Sequence, residues 1–157
     1  MCIRDRSLIM RPNTVERHSI ENIKDTRFFT LNAVPAIRFK DAHQTSARYD
    51  REISEFDACG FTPFYEKDFI APFVQESPLQ IGLSLAQIIH LDINGCDMVI
   101  GKIEMIKAPF SSLSEDGSIK LEQLDLCSVS GLDRYYGHTK IARLSYAKPD
   151  KKPSVID

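Results

Sequence analysis

The sequence predicts a mainly β protein with short helices, and three patterns support this. Apolar residues alternate along 79–91 with the period of two that is typical of a half-buried strand. Asn94-Gly95 follows, which is a strong hairpin signal, and 97–107 returns with its own alternation. Residues 28–34 alternate in the same way, with Phe29 expected on the buried face. These strands indicate an antiparallel sheet or barrel, but they are too few to close one.

Short helices are expected between and before these strands. One spans 20–27, with Ser19 as its N-cap and Asn22 in a capping-box position. Two more are predicted at 36–44 and 53–59, and Gly60 is a suitable C-cap for the second of them. Further predictions are a short helix near 121–124, and a bulge or close packing at Gly101. The rest of 36–78 is predicted to be irregular, and so long a connection is usually functional.

The chain is divided into one domain and two flanking segments. The opening letters MCIRDR resemble translated adapter sequence, so residues 1–6 are interpreted as a non-native leader and are left out of the fold prediction. Residues 7–147 form the single domain. The lysine-rich residues 148–157 are expected to be a flexible tail.

Composition and short motifs exclude several classes of function. With 43% hydrophobic and 27% charged residues, the chain has the make-up of an ordinary globular protein. The 20 basic and 22 acidic residues give no broad positive field for a nucleic acid. Four scattered cysteines and four scattered histidines predict no metal site and favour a reducing, cytoplasmic location. No apolar run is long enough to span a membrane, and the sequence contains no GxSxG, HExxH, Walker A or GxGxxG motif.

The start of the first predicted helix is a candidate anion site. Arg17 precedes a turn whose backbone N–H groups are free, and the hydroxyl of Ser19 would add a hydrogen bond. The alternative is that Ser19 only caps the helix and Arg17 is a solvated surface charge. The sequence pattern by itself favours this alternative, because capping serines are far commoner than phosphate sites.

Five segments, in order, resemble the flavin reductase-like family. RHSIENI is similar to the family's K-D-T-x-x-N-I, and FFTLNAV to its F-V-V-N strand. TSARYDREISEFDACGFTP resembles T-S-A-P-Y-P-x-x-x-x-E-F-x-x-A-G-L-T-P. ESPLQIGLSL and DMVIGKIEMI resemble the strands E-S-P-V-x-x-E-C-x-L and V-I-G-E-V. The similarity extends from about Arg11 to Tyr146, and its order makes it more specific than any one motif.

The chain also departs from the family pattern. His18 stands where an acidic residue is usual and Ser19 where threonine is usual, although serine keeps the hydroxyl. Arg48 and Asp50 replace the prolines that flank the loop tyrosine. Family members have several strands before the first helix, whereas almost nothing here precedes Leu8, so an N-terminal truncation is expected.

The resemblance implies an FMN-binding split β-barrel, antiparallel and Greek-key, incomplete at the N-terminus and homodimeric. It places the FMN phosphate near Arg17, Ser19 and Asn22. Weaker candidates for flavin or phosphate contacts are Asn32, Thr45 and Ser46. The implied reaction is hydride transfer from NADH or NADPH to flavin, and no catalytic side chain is expected because the cofactor supplies the chemistry.

Two other functions are left open by the sequence. One is a flavin-binding electron carrier without pyridine-nucleotide oxidase activity. The other is a dimeric, non-catalytic split-barrel binding module, suggested by the altered loop around Tyr49. The late segment 131–137 would fold over the flavin site, but core packing is the commoner role for Tyr135 and Tyr136.

Overall fold

The structure is a computed structural model that describes residues 5–12 and 18–156. In chain order its elements are β1 (Asp5–Met10), α1 (His18–Thr26), β2 (Phe28–Asn32), α2 (Phe39–Gln44), α3 (Glu55–Cys59), β3 (Pro63–Glu66), β4 (Phe69–Val74), β5 (Gln80–Leu91), β6 (Cys96–Lys107), β7 (Cys127–Ser130) and β8 (Arg134–Gly137). Short 3-10 turns lie at Ala36–Arg38, Phe110–Ser112 and Leu121–Gln123. No helix in the described ranges has the length and apolar character needed to cross a membrane.

The central feature is a curled, antiparallel four-stranded sheet in the order β1-β6-β5-β2. The long β5–β6 hairpin lies in the middle, with β1 paired to β6 and β2 paired to β5. The predicted fold class, a mainly β split barrel with short helices, is therefore confirmed. The predicted strands and the hairpin at Asn94-Gly95 agree with the observed elements to within a few residues.

Helix α1 covers one face of this sheet. Ile20 and Ile23 are buried on its inner side, where they pack with Phe29, Leu83 and Val99. Positions 20 and 23 are three apart, so they share one face of the helix. The helix begins no later than His18, so the prediction of Ser19 as N-cap is wrong: Ser19 lies within the first turn.

Close packing at Gly101 is confirmed. A Cβ atom at this position would clash with the ring of Phe29, because the ring lies directly against the backbone of β6. The pairing of β5 with β6 slips by one residue opposite Gly101, between Leu85 and Gln87. Because of this bulge, the side chains of β5 that face the core stand at odd positions before it and at even positions after it. Ile88 therefore packs on the core, whereas an unbroken alternation along β5 predicts Ile89 there.

A second hairpin, β3–β4, closes the other side of the core. Phe69 and Phe73 are buried in it and pack against Phe28 of β2 and Met105 of β6. The sequence predicts an irregular segment here, because Pro63 and other turn formers interrupt the alternation of apolar residues. The two short helices predicted before it are present, and Gly60 closes α3 with a left-handed φ of 68°.

Both ends of the described chain contain pairing that was not predicted from the sequence. Asp5 and Arg6, placed in the excluded leader, pair with Lys102 and Gly101 in β1. At the other end, residues 143–156 fold back on themselves, with Leu144 bridged to Val155. Residues 1–6 were left out of the fold prediction because they resemble adapter sequence, and the lysine-rich composition of 148–157 gave no signal for pairing.

Candidate functional site

Two cavities meet beside the first turn of α1. The first has a volume of about 480 Å³ and is bounded by this turn and the loop that follows α2. It brings together three predicted site residues, namely Ser19, Thr45 and Ser46. The remainder of its wall is largely polar and includes His18 and Arg48.

The second cavity has a volume of about 510 Å³ and lies between α1, β2 and β4. It contains the predicted residues Asn22 and Asn32, and shares Ser19 and Met10 with the first cavity. Most of its wall is apolar, formed by Leu8, Ile23, Phe28, Phe29, Phe56, Ile70, Ala71 and Pro72. Both volumes fall within the usual range for small-molecule sites.

Ser19 and Asn22 have side chains available for a ligand. They are three residues apart in α1, so both lie on the face that borders the second cavity. Both are exposed, and neither side chain has a hydrogen-bond partner in the described structure. Arg17, the third predicted phosphate ligand, lies outside the described residues.

Thr45 and Ser46 line the first cavity, but their hydroxyl protons are already used. Thr45 Oγ1 donates to the carbonyl oxygen of Ala42 at 2.8 Å, and Ser46 Oγ donates to that of His43 at 2.7 Å. These bonds satisfy carbonyl groups at the end of α2. In this arrangement the two hydroxyls offer a ligand only acceptor lone pairs, whereas a phosphate requires donors.

Asn32 holds β2 to β4. Its Oδ1 accepts a hydrogen bond from the backbone N–H of Val74 at 3.0 Å, and its Nδ2 donates to Thr30 Oγ1 at 2.9 Å. Thr30 in turn donates to the carbonyl oxygen of Pro72 at 2.7 Å. Asn32 therefore has a structural role in the wall of the second cavity, and one amide N–H is left for a ligand.

Two residues near the middle of the loop between α2 and α3 hold it to the neighbouring helices. Tyr49 Oη accepts a hydrogen bond from Gln44 Nε2 at 3.1 Å and lies 3.6 Å from the sulfur of buried Cys59. Arg51 forms an ion pair with Glu21 of α1, with 2.5 Å between Nη1 and Oε2. These contacts hold the loop across the first turn of α1 and so define the first cavity.

Arg48 is a cavity residue that the sequence analysis did not select. It is exposed, it lines the first cavity, and it forms no ion pair with any residue that the structure describes. An unpaired guanidinium suits an anionic ligand. The sequence does contain a signal for this residue, since Arg48 stands where the family pattern has a proline. That replacement was taken only as a departure from the family pattern.

Tyr135 contacts two residues of helix α2. Its hydroxyl lies 3.0 Å from His43 Nδ1, and its ring centroid lies 5.3 Å from that of Phe39. Tyr135 thus packs against the helix that leads into the loop of the first cavity. This is the packing role that the sequence analysis considered the commoner one.

Comparisons with known proteins were made for both sequence and structure. No family model matches the sequence. An uncharacterised protein of Aquifex aeolicus (strain VF5) is 23% identical over 117 residues, which is 74% of this chain and 59% of that protein. The chain therefore spans under two thirds of this curated relative.

Solved structures give a stronger match. Nitrilotriacetate monooxygenase component B of Bacillus cereus superimposes with a TM-score of 0.76 at 20% identity, over 89% of this chain and 70% of that one. Flavoredoxin of Desulfovibrio vulgaris (Miyazaki F) gives a TM-score of 0.71 at 21% identity, over 92% and 74%. At these identities the two structures show the fold.

One relative is much closer in sequence. A flavin reductase-type protein with a split-barrel domain from Shewanella frigidimarina NCIMB 400 has a TM-score of 0.86 and 45% identity. The match covers 91% of this chain and 71% of that chain. Identity at this level, over this share of both chains and with the same fold, shows common descent. The chain belongs to the flavin reductase-like split-barrel family.

Proposed function

We propose that this chain binds FMN and forms part of a homodimeric oxidoreductase that transfers a hydride from NADH or NADPH to flavin. The observation that carries the proposal is the pair of adjoining cavities, one polar and one apolar, that share Ser19 and Met10. An elongated ligand with an anionic end and a flat apolar end would occupy both. The names of the relatives, a flavin reductase-type protein and a flavoredoxin, support a flavin as that ligand.

The residues present fit FMN at its phosphate end. The first turn of α1 offers backbone N–H groups and partial positive charge. Ser19 and Asn22 add unpartnered polar side chains, and Arg48 adds a cation at the cavity wall. We place Arg17 in the same role because of its position in the family motif.

The second cavity fits the flavin ring by its chemistry. Phe28, Phe29 and Phe56 form part of a wall that would cover a flat aromatic system and exclude water. Asn32 retains one N–H for a polar edge of the ring. Thr45 and Ser46 line the first cavity and stay weaker candidates, because their hydroxyls already donate to backbone carbonyl oxygens.

In this arrangement FMN and the protein have separate roles. FMN, when bound, supplies the ring that accepts a hydride. The polar cavity holds the anionic end, and the apolar cavity orients the ring and keeps water from its face. No acid or base from this chain is required, so no catalytic residue is assigned.

Titration of FMN against the purified chain tests the binding site. Ser19→Ala and Arg17→Ala together should raise the dissociation constant about 10-fold to 100-fold, since each removes a hydrogen bond to a charged group. Ser54→Ala is the matched control, because Ser54 is exposed and makes no side-chain cap on α3. Equal affinity of wild type and the double variant, measured by quenching of flavin fluorescence, would reject this phosphate site.

Anaerobic stopped-flow mixing with NADH or NADPH tests the reaction. A reductase bleaches the flavin absorbance on mixing, whereas an electron carrier stays oxidised until a reduced protein partner is added. Because the chain spans 71% of the Shewanella frigidimarina relative, the measurement is made on this chain and, for comparison, on that relative. A protein without colour after addition of FMN would instead support the non-catalytic binding module.

A further inference from the structure

A connection that buries little of its own surface forms most of the wall of the first cavity. Residues 45–51 of this wall lie between α2 and α3. Helix α2 contains no buried residue, and α3 contains only Cys59. A segment with few buried apolar contacts has a low local stability, so its position depends on specific polar contacts. The α2–α3 segment, defined here as residues 39–60, therefore needs contacts that fix its two ends.

Arg38 joins the two ends of the α2–α3 segment. It directly precedes α2, and its Nη2 donates a hydrogen bond to the carbonyl oxygen of Gly60 at 2.7 Å. Gly60 ends α3 and lies 22 positions further along the chain. Arg38 also forms an ion pair with Asp41 in the first turn of α2, with 2.6 Å between Nε and Oδ2. The buried Nε makes no hydrogen bond in the described structure, so the attraction to Asp41 is that of charge alone.

An aromatic contact adds a third point of attachment. The Cζ atom of Arg38 lies 4.7 Å from the centroid of the Phe61 ring, within the range of a cation–π interaction. Phe61 follows Gly60, and together with Thr45 it lines a small cavity of about 180 Å³. A planar guanidinium stacks on a ring and also donates in its own plane, which the ammonium group of a lysine does not do. The contacts of Arg38 therefore depend on the shape of its side chain as well as on its charge.

Glu76 attaches the residue after Phe61 to the start of the central sheet. Both of its carboxylate oxygens accept a hydrogen bond from the backbone N–H of Thr62 at 3.1 Å, and Gln75 N donates to the carbonyl oxygen of Thr62 at 3.0 Å. Burial works to raise the pKa of Glu76, but the hydrogen bonds from Thr62 and the charge of Arg38 outweigh it and lower the pKa. Glu76 is therefore ionised at neutral pH, and it lies shortly before β5.

Neither Arg38 nor Glu76 lines either of the two cavities beside α1. These residues can therefore affect a ligand there only through the loop. The loop contributes Arg48 to the same cavity to which α1 contributes Ser19. A phosphate that contacts both walls requires them at a fixed separation, because a displacement of about 1 Å breaks a hydrogen bond.

We propose that Arg38 is a positioning residue for the anionic end of the flavin. It fixes the α2–α3 segment through Gly60 and Phe61, and so sets the separation between the loop of the first cavity and the first turn of α1. The proposal rests on the FMN site proposed above. Arg38 has no contact with the ligand in this arrangement, and no effect on the apolar cavity that receives the ring.

Titration with two flavins separates this role from a general loss of structure. Lumiflavin carries the flavin ring but no ribityl phosphate, so it reports on the apolar cavity alone. Arg38→Ala should raise the dissociation constant of FMN about 10-fold, the value of one hydrogen bond to a charged group, and leave that of lumiflavin unchanged. Lys40→Ala is the matched control, because it removes an exposed cation of α2 that forms no ion pair with any described residue. Quenching of flavin fluorescence measures both constants.

Hydrogen exchange tests the attachment in the flavin-free protein. Arg38→Ala should speed amide exchange in residues 45–60 and leave β5 and β6 unchanged, since both strands lie in the middle of the central sheet. Slow exchange in β5 and β6 also shows that the variant is folded. Arg38→Lys keeps the charge but loses the planar guanidinium, so it should show the same pattern with a smaller loss of FMN affinity. It takes the place of Arg38→Ala if that variant does not fold.

The two measurements distinguish the failure of this role from the failure of the proposed function. A wild type that binds no FMN would overturn the proposed function and, with it, the effect of Arg38 on a flavin. A wild type that binds FMN, with an Arg38→Ala variant of equal affinity, would overturn the positioning role alone. An equal loss of affinity for FMN and lumiflavin would also overturn it, because that result indicates general damage to the fold. Unchanged exchange in residues 45–60 would show that Arg38 does not hold the segment.

Discussion

The hairpins β5–β6 and β7–β8 have similar local designs but different surroundings. Both are antiparallel, and each turn contains a glycine with a φ of 66°, Gly95 in the first and Gly131 in the second. The first hairpin lies between β1 and β2 beneath α1, whereas the second has no neighbouring strand in the described chain. Turn chemistry therefore accounts for the formation of each hairpin, but not for its burial.

Burial determines how much each hairpin contributes to the stability of a single chain. Leu83 and Val99 in the first hairpin are fully buried. Val129 and Tyr136 in the second are each 53% exposed. Substitutions in the first hairpin should therefore destabilise a single chain more than substitutions in the second. Two predictions test this difference, and two more test contacts of the second hairpin and of the residues that follow it.

The largest effect is expected from a cavity in the first hairpin. Leu83→Ala should lower the free energy of unfolding by about 2–5 kcal/mol at every protein concentration. Leu132→Ala is the control, because Leu132 is 81% exposed and lies in the turn of the second hairpin. Its effect should be within about 0.5 kcal/mol at concentrations where the chain is monomeric. Urea denaturation measures both, and equal losses at low concentration would remove the contrast between the hairpins.

Gly101→Ala should cause the next largest loss. The added methyl group meets the Phe29 ring and lies 3.0 Å from Leu83 Cβ, so the core must shift, at a cost of about 1–3 kcal/mol. Gly137→Ala in β8 is the control, because no described residue apart from its two chain neighbours lies within 4 Å of the added methyl. Thermal unfolding of the two variants compares them, and a Gly101→Ala protein as stable as Gly137→Ala would contradict the observed packing.

The first hairpin could be predicted from the sequence because its information is local. Alternating apolar residues and Asn94-Gly95 specify the strands and the turn. The face change at the bulge could not be predicted, since it depends on the close approach of Phe29 to Gly101. The β3–β4 hairpin was missed for a similar reason: its aromatic residues are buried by contacts with β2 and β6 that are distant in sequence.

The candidate site was predicted in part. The resemblance implied Ser19 and Asn22 as phosphate contacts, which stays a prediction, and the structure adds the cavities beside them. The hydrogen bonds that occupy Thr45 and Ser46 depend on the way α2 ends, which residue types alone do not specify. Arg48 was missed because its importance comes from the folded loop, held by Tyr49 and Arg51, and not from a motif.

A moderate effect is expected where the second hairpin meets the site. Tyr135→Phe keeps the ring contact with Phe39 but removes the hydroxyl that contacts His43, which should lower stability by about 0.5–1.5 kcal/mol. Tyr136→Phe is the control, since Tyr136 faces away from α2. Urea denaturation measures the difference between the two variants. If they are equally stable, Tyr135 does not support α2 through this hydrogen bond.

The smallest effect concerns the pH dependence of stability at Asp116, which forms an ion pair with Arg143. The Ser118 hydroxyl and backbone N–H, and then Arg143, lower the pKa of Asp116 from 3.8 to about 2. A carboxyl whose pKa is lower in the folded state stabilises the fold above its unfolded pKa, and this stabilisation is lost as the pH falls from about 4 to about 2. Asp116→Asn should therefore make the fall in melting temperature over this interval shallower than in wild type.

Ser118→Ala separates the contributions to this shift. It removes the hydroxyl donor, which lies 2.7 Å from Asp116 Oδ1 and is the largest cause of the lowered pKa, but keeps the backbone donor and Arg143. The pKa of Asp116 should then rise towards 3.8, which carbon-detected NMR titration of the carboxyl measures directly. A carboxyl that already titrates near 3.8 in wild type would show that the turn does not hold Asp116 in this way.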